Sequence, residues 1–348
     1  VMGPNGEAHY YAHDLVDAYR TLYEHYRFTY VVPGERAPRP FATTDPPDRA
    51  PTEASYGGDA SAGFARVGDV FDDATNPGRK RPFAMRAVMR ALVDQDGRPP
   101  YLERWSAWAG AETAIVWDAH LGGMPVCLIG IESQSVPREG HRPLDGPSAW
   151  TGGTLFPQSS KKAARALNAA SGVRPAVILA NLSGFDGSPE SMRNLQLEHG
   201  AEIARAVVLF DGPLLFVVVS RYHGGAYVVF SKALNDGLHA AALEGSYASV
   251  IGGSAAASVV FAREVRARAA TAPEVVAAQQ ALRAEPTRAR QDAYERALEA
   301  ARLEAQSALA AEFDAIHSVE RARRVGSLDA VIAPAAMRAH LIERLRAR

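Results

Sequence analysis

The stretch LLFVVVSRYHGGAYVVFS, residues 214–231, decides the fold. Its first seven residues are apolar and rich in valine, the pattern of a buried strand. Its last six, AYVVFS (226–231), read as a strand again. Between them His223-Gly224-Gly225 breaks the run. Adjacent glycines weaken a strand, because they carry no side chain and lose the most chain entropy on folding. They fit a place where the backbone bends sharply, as in a β-bulge or tight turn. They also fit a place where something approaches the backbone N–H groups. Residues 221–230 by themselves leave both readings open.

Outward from this stretch, strands alternate with helices. TAIVWDAHL (113–121), MPVCLIGIES (124–133) and PAVILAN (175–181) read as strands, and Gly122-Gly123 joins the first two as a hairpin. KKAARALNAAS (161–171) and PESMRNLQLEHGAEIARAVV (189–208) carry helical periodicity, with Pro189 suited to a first turn. Apolar strands alternating with helices predict an α/β domain whose sheet is covered by helices. Residues 1–32 predict one helix, capped by Asp14 and striped by Leu15, Ala18, Leu22 and Tyr26. Residues 33–78 hold Pro33, Pro38, Pro40, Pro46, Pro47 and Pro51, then glycine-rich acidic text, and read as a coreless linker. Residues 79–348 complete the domain. Within it, residues 273–313 read as long helix broken at Pro286, with a narrow stripe of Tyr294, Leu298, Ala301, Ala305 and Ala308. LDAVI (328–332) and a final helix close the pattern.

Composition excludes several classes. A net charge of -1 offers no electrostatic footprint for nucleic acid or an acidic membrane. The longest apolar stretch is broken by Asp211-Gly212, so no membrane-spanning helix is expected. One cysteine, Cys127, excludes an intrachain disulfide or a multi-cysteine zinc site, and fits a cytoplasmic protein. The ten histidines are scattered. His9 and His13 are spaced i, i+4 without an HExxH, so no metal is expected. No phosphate-binding GxxxxGKS is present.

NLSGFDGSPE (181–190) ends a strand and opens a helix, the place where α/β folds bind ligands and where helix N–H groups favour negative charge. A plain connecting turn reads equally from the segment. Ser183 and Ser188 lack the flanking glycines of a nucleophile elbow. Gly252-Gly253 precedes an alanine-rich helix and reads as close packing.

Taken in order, these segments resemble the carboxyltransferase component of biotin-dependent acyl-CoA carboxylases, most closely its acetyl-CoA-carboxylase-like branch. MGPNGEAHYYAHDL is similar to the end of that family's N-terminal half, and DPPDRA to its linker. NPGRKRPFAMRAVM and AIVWDAHLGGMPVCLIGIES resemble the opening of its C-terminal half. FPQSSKKAARAL, NLSGFDGSPESM, YHGGAYVVF, ALEGSYASVIGGSAAASVVFAREV and HSVERARRVGSLDAVI follow in family order. The resemblance implies a crotonase-like ββα spiral with an added long helical segment. It implies transfer of a carboxyl group from carboxybiotin to the α-carbon of an acyl-CoA. The N–H groups of Gly225 and Ala226 are then the catalytic oxyanion hole for the biotin ureido oxygen. Gly224, Tyr227, Val228, Gly184 and Phe185 are expected around biotin and substrate. Lys161 and Lys162 are expected near CoA phosphates or on a solvated face.

The sequence departs from the family at Ser183, where eukaryotic relatives often carry arginine, and this puts a carboxylate-anchoring side chain there in doubt. None of the four lysines stands in a Met-Lys-Met-like context, so biotin is expected on another chain or domain. The expected partners are the N-terminal carboxyltransferase half, a biotin carboxyl carrier domain, biotin carboxylase and further copies in a homo-oligomer. A non-catalytic scaffold of the same fold is the alternative. A crotonase-type hydratase or isomerase is a weaker one, since no active-site carboxylate stands out.

Overall fold

The computed structural model describes residues 1–96, 99–138 and 142–347. Helix α1 (Leu15–Thr29) leads through short 3-10 turns to α2 (Met85–Leu92) and the strands β1 (Tyr101–Arg104), β2 (Ala114–Leu121) and β3 (Met124–Ile131). The short strands β4 (Val136–Pro137), β5 (Ala149–Trp150) and β6 (Thr154–Leu155) precede α3 (Pro157–Ala170) and β7 (Ala176–Leu182). Next come β8 (Gly184–Phe185), α4 (Pro189–Arg193), α5 (Gln196–Val208) and β9 (Leu214–Tyr222). Then follow α6 (Ala226–Val229), β10 (Leu238–Leu243), β11 (Tyr247–Ala248) and α7 (Gly253–Ala255). The chain ends with α8 (Ala262–Ala270), α9 (Pro273–Ala284), α10 (Arg288–Ile316), α11 (Val319–Arg324), β12 (Ala330–Ile332) and α12 (Met337–Arg346).

The main sheet runs β1-β2-β3-β7-β9-β10-β12, with β11 paired to the end of β9. β1, β2 and β3 are antiparallel neighbours, and β3, β7, β9, β10 and β12 are parallel. Strand alternation splits the core in two. Ile178, Ala180, Phe216 and Val218 face α3 and α5, while Val177, Leu179, Leu215 and Val217 face α2 and α12. Every residue of β2 and β7 is buried, as expected of strands covered on both faces. The Gly122-Gly123 hairpin is secured by Asp94, whose carboxylate accepts both N–H groups at 2.8 and 2.7 Å.

Five expectations are corrected. AYVVFS does not resume as a strand. Gly224 at φ +67° turns the chain, and N–H bonds from Val229 to the Gly225 carbonyl (3.2 Å) and from Phe230 to that of Ala226 (3.1 Å) make a helical turn. The predicted helix 189–208 breaks at Leu195, which takes a left-handed φ of +63°. Residues 33–78 are not coreless: Tyr56, Phe64, Val67, Val70 and Phe71 enter the core beside α2. Asn76 and Arg79 explain how a glycine- and proline-rich segment achieves this. Asn76 donates to the Val70 carbonyl and accepts from the Arg81 N–H, and Arg79 donates to the carbonyls of Val219 and Glu244 at the C-terminal ends of β9 and β10. The helical arm α9–α10 breaks around Pro286 as predicted, but Leu309 rather than Ala308 is its buried residue beside Ala301. The α1 stripe fails inward: Leu15, Leu22 and Tyr26 are exposed and Ala18 alone is half-buried.

Candidate active site

The C-terminal ends of β7 and β9 lie side by side, and two loops cross there. The His223 N–H donates to the Leu182 carbonyl at 2.8 Å, and the Gly224 N–H to the Val250 carbonyl at 2.8 Å. This ties the β9 loop to the segment after β7 on one side and to the segment after β11 on the other. The crossing is tight. A Cβ on Gly224 would stand 3.1 Å from both Gly184 Cα and the Ser183 carbonyl oxygen, and Gly184 itself has φ +135°. Only glycine satisfies both the contact and the backbone angles.

Gly225 and Ala226 open α6, a turn whose first N–H groups have no helical acceptor. Among the described residues, neither N–H donates a hydrogen bond. Ala226 is buried and Gly225 is exposed, so the two unpaired donors lie where the turn passes from the surface into the interior. Phe185, half-buried, forms its wall. Its ring lies where a Gly225 Cβ would be, 2.6 Å from Cδ2, and the same edge of the ring is 3.0 Å from the Cβ position of Gly200. The glycine at 225 thus makes room for an aromatic wall, a contact that sequence spacing does not reveal.

His223 supports the turn from below. It is buried, its Nδ1 lies 3.1 Å from both the carbonyl and the hydroxyl oxygen of Ser249, and Gly252 packs on its ring. Burial holds its pKa below the ordinary histidine value. Gly253 packs under α10, its N–H donating to Asp314 at 2.8 Å, so the second glycine pair serves close packing as expected.

Tyr227 faces a 270 Å³ cavity shared with Val250, Ile251, Phe313, His317 and Arg321. Its hydroxyl donates to Ser327 at 2.9 Å, which fixes the ring. His317 stacks on Phe313 at 4.0 Å, and Arg321 makes no ion pair among the described residues. His317 and Arg321 were not singled out by sequence, since nothing in their spacing connects them to residue 227. Val228 is 59% exposed on the outer side of the turn. Asn181, within the quoted NLSGF, donates to Ser133 at 2.7 Å while its Oδ1 is buried without a partner.

The lysine expectation changes. Lys162 is 2% exposed, so it is neither on a solvated face nor at a phosphate on the surface, and burial pushes its ammonium down to about 8. Ser183 is exposed, and Ser188 caps α4 by accepting the Ser191 N–H. His9 packs edge-on against Trp105, while His13 is exposed. His141 lies outside the described residues. Among the described residues no group of three or more metal-ligating side chains converges, and no helix is long and apolar enough to cross a membrane.

The carboxyl transferase domain family matches this chain over residues 1–348. The chain belongs to that family. Curated relatives of this carboxyl transferase domain include the acetyl-CoA carboxylase dmxL1 of Cryptosporiopsis sp. (strain 8999), 27% identical over 174 residues, or 45% of this chain and 8% of the relative. The acetyl-CoA carboxylase of Saccharomyces cerevisiae is 31% identical over 147 residues, 39% of this chain and 6% of the relative. The expected likeness to the acetyl-CoA carboxylase branch is borne out. Among solved structures, transcarboxylase 12S, determined with hydrolysed methylmalonyl-coenzyme A bound, superposes with a TM-score of 0.69 at 19% identity. The match covers 98% of this chain and 53% of that one. It shows the crotonase-like α/β fold expected from the sequence. The carboxyl transferase domain here spans a small part of its curated relatives and about half of the solved chain.

Proposed function

We propose that this chain is the biotin-side, C-terminal half of an acyl-CoA carboxyltransferase, with residues 1–32 belonging to the tail of the N-terminal half. One observation carries the reading: the unpaired N–H groups of Gly225 and Ala226, aligned at the start of a helical turn at the end of β9. Two adjacent backbone donors without an acceptor fit a carbonyl-type oxygen, which accepts through two lone pairs, and so fit the ureido oxygen of biotin. Carboxybiotin on a separate carrier would supply the carboxyl group. The two N–H groups donate to the oxygen on which negative charge grows as that group departs. Donors fixed in place before the reaction need no reorganisation, and one such donor is worth about 3–4 kcal/mol of transition-state stabilisation. Phe185 and Tyr227 wall the site and limit water. The acceptor is the α-carbon of an acyl-CoA thioester, acetyl-, propionyl- or longer. Its activation falls to the N-terminal half, and biotin carboxylase recharges the carrier. The expected setting is a cytoplasmic homo-oligomer.

The test is fixation of labelled bicarbonate into acetyl-, propionyl- and long-chain acyl-CoA by the chain combined with its N-terminal half, carrier and biotin carboxylase. Label is expected from the complete set and none from the chain alone. No label from the complete set with any acyl-CoA, or label from the chain by itself, overturns the reading.

A further inference from the structure

The ring of His223 packs against residues 249–252 and is 5% exposed. Its Nδ1 is 3.1 Å from both the carbonyl and the hydroxyl oxygen of Ser249. The Ser249 hydroxyl donates its own proton to the Ile251 carbonyl, and a carbonyl only accepts. The proton between ring and loop therefore belongs to Nδ1. Nε2 of the neutral ring carries a lone pair, and among the described residues it makes no hydrogen bond. A Cβ on Gly252 would stand 3.2 Å from the ring's Cδ2 and 3.4 Å from Nε2, so the loop closes on this edge of the ring. The same loop supplies the Val250 carbonyl that accepts the Gly224 N–H at 2.8 Å. His223 is thus joined to the glycine turn twice, directly through the chain and again through residues 249–252.

We propose that His223 is a positioning residue for the transfer reaction. Neutral, its ring locks residues 249–253 onto the turn that carries the Gly225 and Ala226 N–H groups, and protonation of Nε2 opens the lock. The inference rests on the function proposed above. A proton on Nε2 creates a buried charge and a donor without an acceptor, and both are costly. The charged and titratable groups that face the ring are Arg221 on β9, and Asp314 and His317 at the end of α10. Arg221 and His317 oppose the added proton, and Asp314 favours it. Asp314 already accepts the Gly253 N–H at 2.8 Å, so a charged ring competes with Gly253 for that carboxylate. Loss of the bond to Gly253 frees the segment whose Val250 carbonyl holds Gly224 in place. Burial has the largest influence and keeps the ring neutral below the ordinary histidine value, so the lock is closed at neutral pH and opens in acid.

Two measurements test this. In the full chain alone, glycine-selective isotope labelling follows the amides of Gly224, Gly225, Gly252 and Gly253 by NMR while the pH is lowered. They are expected to move together with one midpoint below the ordinary histidine value. His223→Asn abolishes that step, because an amide donates to Ser249 without titrating. In the complex of the chain with its N-terminal half, single-turnover transfer from pre-charged carrier to acyl-CoA is compared between variant and wild type at each pH. The ratio of His223→Asn to wild type is expected to rise about tenfold as pH falls to one unit below the midpoint. His223→Leu fills the space without a donor and is expected to lose about 10–100-fold in kcat at neutral pH, with KM for the acyl-CoA unchanged and His223→Asn recovering part of the loss. Glycine amides that titrate alike in wild type and His223→Asn, or a ratio that stays flat with pH, overturn the inference. No transfer by the wild-type complex at any pH overturns the proposed function, while the glycine amides of the chain alone still decide the lock.

Discussion

A methyl group added at Gly225 would lie 2.6 and 2.7 Å from two ring carbons of Phe185. Gly225→Ala must therefore displace either the wall or the turn that aims the two free N–H groups. Overpacking of this kind costs about 1–3 kcal/mol of stability, and misplacing one oxyanion donor costs about 10²–10³ in rate. The variant is expected to lower the thermal midpoint and to cut carboxylation in the reconstituted complex by about 100-fold. Adding Phe185→Leu removes the ring and restores the midpoint. A rate unchanged by Gly225→Ala would show that this N–H pair holds no reacting oxygen. Cys127 offers a simpler check. Burial pushes its thiol up to about 11 and leaves it 1% exposed, so Ellman's reagent should fail to label the native protein and label it fully in denaturant. The inertness of Cys127 was legible from its apolar neighbours in PVCLIGI. The partnership of Gly225 with Phe185 was not, because it joins residues 40 positions apart through the crossing of two loops.

Strand β2 carries a titratable group that governs acid stability. The His120 ring lies between Phe28 (4.7 Å) and Phe41 (5.3 Å), and its Nε2 is buried without a partner. Burial first, and then Arg27, push its pKa down to about 4. Above pH 6.5 the residue is neutral folded and unfolded, and costs nothing. As pH falls from 6.5 towards 4 the unfolded chain binds a proton that the folded chain refuses, so stability falls, in all by on the order of 3 kcal/mol. Denaturant midpoints between pH 7.5 and 4 should show this slope, and His120→Phe should make it shallower. The neighbouring Asp118 enters only at the acid end of that window: burial alone would raise its carboxyl, but Arg174, His25 and Arg104 hold it well below the usual carboxylate range, so its stabilisation starts to be lost only as the unfolded chain's carboxyl protonates. An unaltered slope in His120→Phe would assign the acid sensitivity elsewhere, to His239 for one, which burial also lowers to about 4. At this scale the sequence was readable where side chains set the element. β7 and β9 announce themselves by runs of branched apolar residues. LHAAAL does not, because alanine has little β-propensity of its own, and β10 is a strand only through pairing between β9 and β12. AYVVFS has strand propensity and becomes a helical turn, because the preceding Gly224 fixes the chain direction.

The molecule as a whole joins a strongly buried sheet to a thinly buried arm. α10 is 29 residues long and buries only Ala301 and Leu309. The arm is held by two small clusters, Ala257, Val265 and Leu309 in one and Ala269, Val275 and Ala301 in the other. Composition and periodicity made this division legible, since the arm shows a single narrow stripe and the sheet strands are apolar throughout. They did not show that the arm reaches the cavity beside Tyr227. Phe313 and His317 at its end wall the cavity beside Tyr227, and Asp314 accepts the N–H of Gly253. Regions with few buried contacts open at lower free energy than the core. Amide exchange should therefore run faster through α9 and the first half of α10 than through β7 and β9. Leu309→Ala removes the largest side chain of its cluster, a change that typically costs about 2–5 kcal/mol where the residue is well packed. It should speed exchange in α8 and α10 while leaving the protection of β7 and β9 unchanged. Because the end of α10 meets the loop at Gly253, the same substitution should also reduce carboxylation in the reconstituted complex without altering the sheet. An equal loss of protection in arm and sheet would show one cooperative unit, in which the arm cannot move independently of the turn that carries Gly225 and Ala226.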